Sequence, residues 1–135
     1  MATIPEALAI AVEHHNAGRL GEAEQIYSQI LAIEPGHAQA THLLGLIALQ
    51  TGKPEVAIDF IGRAIELDGT ESTAYCNLGT ALQAVGRLDE AVWCFRRAVE
   101  RNPHFAAAYN NLGAVFQQQE KRGEAIACFR RALEL

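Results

Sequence analysis

Three Leu-Gly pairs, Leu44-Gly45, Leu78-Gly79 and Leu112-Gly113, stand 34 residues apart along the chain. Ala23, Ala57, Ala91 and Ala125 keep the same interval, and so do Tyr27, Ile61, Phe95 and Phe129. A unit of this size cannot bury its own apolar face, so successive copies must stack on one another. The period therefore directs the search for function towards a surface repeated along an array, and away from a single catalytic pocket.

Each period reads as two helical stretches. The first has Ile4–Ala17 and Leu20–Ile33, and the second Ala38–Thr51 and Pro54–Leu67. The third has Ser72–Val85 and Leu88–Arg101, and the fourth Ala106–Gln119 and Arg122–Leu135. Gly18, Gly52 and Gly86 break the pairs, because glycine takes the left-handed conformation that ends a helix without steric cost. Pro35 and Pro103 force their predecessors out of the helical region, which makes Glu34 and Asn102 helix ends. Pro54 opens a helix, where its missing N–H costs nothing. Thr3 and Ser72 are the expected N-caps. The expectation is an all-α fold: one domain over 1–135, with repeats at about 4–37, 38–71, 72–105 and 106–135.

Composition narrows the function classes. Half of the residues are apolar, which excludes a disordered chain. With 11 basic and 16 acidic residues the net charge is −5, which argues against nucleic acid or an anionic membrane as partner. The early apolar stretch from Ile4 to Val12 is short, is broken by Pro5 and Glu6, and follows no basic residue, so it does not read as a signal peptide; no run is long enough to span a bilayer. Cys76, Cys94 and Cys128 have no metal-like spacing. Helix stacking sets Cys94 and Cys128 about 8–10 Å apart, too far for a disulfide. Free thiols in a reducing, cytoplasmic setting are expected.

These residues resemble the tetratricopeptide repeat family. The third repeat carries its pattern as Tyr75, Leu78-Gly79, Ala91, Phe95, Ala98 and Pro103; the fourth carries Tyr109, Leu112-Gly113, Phe116, Ala125, Phe129 and Ala132. The second departs from it with Gly69 at the closing proline. The first departs further, with Ala11 at the glycine and His14 at an aromatic position. The resemblance implies a right-handed α-solenoid of four helix-turn-helix repeats, in which first helices line a concave groove. Such folds serve many partners, so the resemblance implies binding without naming a ligand.

Charge sorts along that division. Ala38–Thr51, Ser72–Val85 and Ala106–Gln119 contain no Asp, Glu, Lys or Arg. Packing between neighbours accounts for most of this bias, yet groove positions stay exposed. The family's geometry places His42, Leu43, Leu46 and Gln50 in the groove, followed by Asn77, Thr80 and Gln83, then Asn110, Asn111 and Gln117. Asn and Gln hydrogen-bond both the N–H and the C=O of an extended chain without reading its charge. A protein or peptide partner, bound with weak salt dependence, is the expectation. The absence of groove Lys or Arg argues against the carboxylate clamp of the cochaperone branch. Asn77 and Asn111, one period apart, resemble the asparagine ladder of O-GlcNAc transferases, and His14 to Glu24 resembles the opening repeat of bacterial proteins of that type. The chain is thus expected to be a non-catalytic scaffold. The alternative is the substrate-recognition arm of a longer glycosyltransferase.

Three further features bear on function. Leu43, Leu44, Leu46, Ile47, Ala48 and Leu49 make one helix apolar around most of its circumference, through close packing or as an exposed strip. The sequence finishes at Leu135 inside the apolar pattern Ile126, Phe129, Ala132 and Leu133. It was either cut from a longer chain or self-associates through an open face, and a self-assembling array is the weaker alternative function. Finally, His14 and His15 point about 100° apart on a helix and cannot readily share a metal ion. No residue set calls for a cofactor or metal, and no phosphate loop or nucleophile elbow occurs. The doubled arginines Arg96-Arg97 and Arg130-Arg131, beside Glu90, Glu100, Glu124 and Glu134, suit surface ion pairs.

Overall fold

The computed structural model describes residues 2–135 and holds eight α-helices among them. They are α1 (Ile4–Asn16), α2 (Leu20–Ile33), α3 (Ala38–Gln50), α4 (Pro54–Leu67), α5 (Ser72–Ala84), α6 (Leu88–Arg101), α7 (Ala106–Gln118) and α8 (Arg122–Glu134). Five of these, α1, α3, α5, α7 and α8, end one residue earlier than the apolar pattern predicts; α2, α4 and α6 coincide with it. The chain divides into two compact units, the first ending at Gly69 and the second spanning Thr70–Leu135. Each holds two helix pairs.

Local chemistry sets the boundaries. Thr3 caps α1, its hydroxyl accepting from the Glu6 amide at 3.3 Å. Ser72 does not cap α5: it is the first helical residue, and Glu71 occupies the cap position without a side-chain bond. The cap of α3 is instead His37, whose Nδ1 accepts from the Ala40 amide at 3.1 Å. Glu34 and Asn102 end α2 and α6, as the prolines behind them require. The turn inside each pair has one left-handed residue. Gly18, Gly52 and Gly86 take φ near +80°, and Glu120 holds the same place in the fourth turn with φ +60°.

The Leu-Gly motif lets the helices of a pair meet closely. A Cβ on Gly45 would fall 2.5 Å from Ile61 Cγ1, and one on Gly113 2.8 Å from the Phe129 ring. In the first unit, Ala11, Ala23, Tyr27, Leu44 and Ile47 form a buried cluster, with Leu8, Leu20, Leu43 and Phe60 packed around it. In the second, Phe95, Ala98, Ala108 and Val115 are fully excluded from water. Burying Phe95 alone is worth roughly 2–3 kcal/mol.

Candidate partner-binding surface

In the second unit the first helices, α5 and α7, bring amides together. Asn111 Nδ2 donates to Cys76 Sγ at 3.7 Å, and Gln83 Nε2 donates to Gln118 Oε1 at 2.7 Å. Both contacts span 35 residues, one period plus one. Sulfur is a weak acceptor, so the Asn111 amide gives up little when a better acceptor arrives. Each of the two glutamines keeps a second polar group for another partner. Asn77 and Asn111 are half-buried and Asn110 is exposed. Thr80 is half-buried, and its hydroxyl donates to the Cys76 carbonyl at 3.0 Å, so that proton is already committed within α5. Gln117 is exposed and borders a cleft of about 570 Å3 with Glu120, Arg122, Ala125, Ile126 and Phe129.

The first unit repeats one of these rungs in different chemistry. His15 and Gln50 stand 35 residues apart at the places Gln83 and Gln118 hold, with His15 Nε2 and Gln50 Oε1 at 2.8 Å. His15 Nδ1 lies 3.1 Å from the Tyr27 hydroxyl. A glutamine oxygen only accepts, so in the neutral ring Nε2 carries the proton and Nδ1 accepts from the tyrosine. Burial pushes the Tyr27 phenol up, which keeps that proton in place. The other rung changes from Cys76–Asn111 to Leu8 and Leu43, both packed against the core cluster.

That packing bears on the apolar helix. Seven residues of α3 are buried: Ala40, Thr41, His42, Leu44, Gly45, Ile47 and Ala48. Its apolar circumference is thus mostly packing, with Leu43 against the core and Leu46 and Leu49 half-buried. His42 is 9% exposed, and burial lowers its pKa. Gln50 is exposed.

The thiols are free, and none is activated. Cys76 is buried, and burial pushes its pKa up against the smaller opposing effect of the Asn111 bond. Burial together with the Glu90 charge pushes Cys94 up to about 12. The doubled arginines form two of the expected ion pairs, Arg97–Glu100 at 3.3 Å and Arg131–Glu134 at 3.4 Å. Sequence reasoning missed their second role. Arg97 lies over Trp93 at 5.0 Å, Arg96 over Phe116 at 5.7 Å, and Arg131 over Tyr109 at 5.9 Å. Helical spacing was the available signal for Arg97 and Trp93, four residues apart on α6, whereas the other two pairs join different helices.

Helix pairs with amide-bearing first helices and packed, unreactive thiols define an all-α helical-repeat protein whose chemistry is that of contact surfaces. Tetratricopeptide repeat profiles match residues 15–82 and 70–135, and the chain belongs to that family. Human tetratricopeptide repeat protein 7A is 36% identical over 70 residues, and human protein 7B is 34% identical over 69 residues. These matches take in 52% and 51% of this chain but 8% of either human protein. Among solved structures, a crystal structure of MamA superposes with a TM-score of 0.88 at 25% identity, covering 98% of this chain and 77% of that one. MamA 41-end from Desulfovibrio magneticus RS-1 gives a TM-score of 0.88 at 19% identity, covering 98% of this chain and 75% of its own. The fold class is therefore the all-α helical-repeat solenoid. Among the described residues no helix is long and apolar enough to cross a membrane.

Proposed function

We propose that this chain is a non-catalytic interaction scaffold that takes up an extended peptide segment of a partner protein on its first helices. The observation that carries this reading is the amide set of the second unit. Asn77, Asn110, Asn111, Gln83 and Gln117 occur on helices without a single ionised side chain, and the Asn111 amide donates to sulfur, a weak acceptor. Such groups grip backbone N–H and C=O and leave the ligand's charge unread. In the first unit Leu43, Leu46 and Gln50 offer a more apolar surface, suited to the ligand's side chains, while His42 lies buried beneath it. Free thiols accord with a cytoplasmic setting.

A displayed library of random peptides, selected on the intact chain, tests this. Enriched peptides should lose roughly tenfold in affinity to an Asn77→Ala/Asn111→Ala variant. Raising salt from low to high should change binding less than about threefold. A steep salt dependence, or indifference to the double substitution, would remove the reading. The second reading, the recognition arm of a longer O-GlcNAc transferase-like enzyme, is favoured by Asn77 and Asn111 recurring one period apart. It requires a sugar-nucleotide-binding α/β domain encoded in the same gene.

A further inference from the structure

The joint between successive helix pairs is built once inside each unit, and only one of the two copies is filled. In the second unit the Phe116 ring of α7 is 3% exposed. Arg96 of α6 lies over it at 5.7 Å, and Lys121, just before α8, at 5.9 Å. Val92, one turn before Arg96, is buried as well.

Two periods earlier the first unit has Ala48, Ser28 and Glu24 in the places of Phe116, Arg96 and Val92, and keeps a lysine as Lys53. A methyl, a hydroxyl and a carboxylate thus replace a ring, a guanidinium and an isopropyl group. What remains is a cleft of about 130 Å3 bordered by α2, α3 and α4. Leu44, Ile47 and Ala48 of α3 line it with buried apolar surface, and Phe60 of α4 lines it too. Glu24, Ser28 and Lys53 border it and are exposed. Neither Glu24 nor Lys53 has an ion-pair partner among the described residues.

Size and lining together select an occupant. An apolar cavity of about 150 Å3 is enough to hold a benzene ring. Lys53 has the sequence place from which Lys121 covers Phe116, and a cation over a ring face is attractive. The second cation of the filled joint is missing, since Ser28 replaces Arg96, and Glu24 adds a carboxylate that calls for a positive charge. We infer that this cleft is a second docking site, separate from the amides of α5 and α7. It takes an aromatic side chain of a partner protein with an arginine or lysine beside it in sequence. The ring fills the space that Phe116 fills in the second unit, and the ligand's cation pairs with Glu24. One anchored side chain binds weakly by itself, so the site adds its affinity to that of a larger contact.

Chemical-shift mapping on the whole chain tests this, with blocked dipeptide amides as probes and circular dichroism confirming that each variant is folded. Phe-Arg should bind saturably at millimolar concentration and shift the methyl groups of Ile47 and Ala48. Ala-Arg should leave them unmoved, and Phe-Glu should bind about tenfold more weakly than Phe-Arg. Ala48→Phe, which copies the second unit, should abolish the response at Ile47. Glu24→Lys, at an exposed position of α2, should reverse the preference so that Phe-Glu binds better than Phe-Arg. Binding that survives Ala48→Phe in a folded chain overturns the inference. So does an Ala-Arg response equal to that of Phe-Arg, or a charge preference that ignores Glu24→Lys. Shifts at Ala48 that grow with protein concentration alone would seat a second copy of this chain in the cleft, and would overturn it too.

Discussion

Gly79 of α5 lies so close to the Phe95 ring of α6 that a Cβ there would stand 2.8 Å from one ring carbon and 2.9 Å from two others. Phe95 is fully buried, so its ring has nowhere to retreat. Alanine normally favours a helix over glycine by about 1 kcal/mol. Here overpacking outweighs that gain, and Gly79→Ala should lower stability by about 1–2 kcal/mol. Gly62, inside α4 with nothing within 4 Å of its would-be Cβ, is the control. Gly62→Ala should raise stability by roughly 0.5–1 kcal/mol. Urea titrations of the two variants should move in opposite directions; a common direction would show that helix propensity alone governs both.

Glu120 stands in the turn between α7 and α8 at φ +60°, where the three earlier turns place glycine. A left-handed residue with a Cβ costs about 1–2 kcal/mol, of which the greater freedom of glycine in the unfolded chain takes back part. Glu120→Gly should therefore stabilise the protein by roughly 0.5–1 kcal/mol. A rise in the thermal midpoint checks this. A fall would mean that the glutamate side chain holds the turn by a contact outweighing its backbone strain.

Much of this architecture was legible because its causes are local or periodic. The Leu-Gly pairs, the glycines at φ near +80° and the proline-limited ends of α2 and α6 each follow from one or two residues. The cap of α3 was not legible, since His37 acts there through a ring nitrogen that cap statistics do not favour. Nor were the rungs His15–Gln50, Gln83–Gln118 and Asn111–Cys76. Comparing copies at equal register looks 34 residues ahead, whereas neighbouring first helices meet at 35. The apolar run of α3 was ambiguous for another reason. Burial on two sides and an exposed strip give the same composition, and only packing separates Leu43 from Leu46.

His42 makes stability depend on pH in a defined window. Burial lowers its folded-state pKa below the ordinary 6.5, so the folded chain binds fewer protons than the unfolded one just below that pH. Stability is full above 6.5 and falls as the pH drops through it towards the folded-state value. The Glu90 carboxylate, held low chiefly by its hydrogen bond from Arg87, acts only below the ordinary carboxylate range. Urea midpoints at about pH 7.5 and about pH 5.5 should therefore differ in the wild type and converge in His42→Gln. An equal drop in both proteins would assign the effect to other groups.

The three thiols should react in an order set by burial. Cys94 is 2% exposed with its pKa pushed up to about 12, by burial first and by the Glu90 charge second. Cys76 is 6% exposed and raised by burial, which the Asn111 bond offsets in part. Cys128 is half-buried; burial raises it, and Arg96 pulls it back towards the ordinary value. The thiolate is the reactive form, so an aromatic disulfide reagent at mildly alkaline pH should label Cys128 first in the folded chain. Cys94 should react only as fast as the protein opens, and should lose that protection in Gly79→Ala, which loosens the packing of α5 against α6. Mass spectrometry of peptides from timed aliquots reads the order directly, and labelling of Cys94 as early as Cys128 would place α6 outside the protected core.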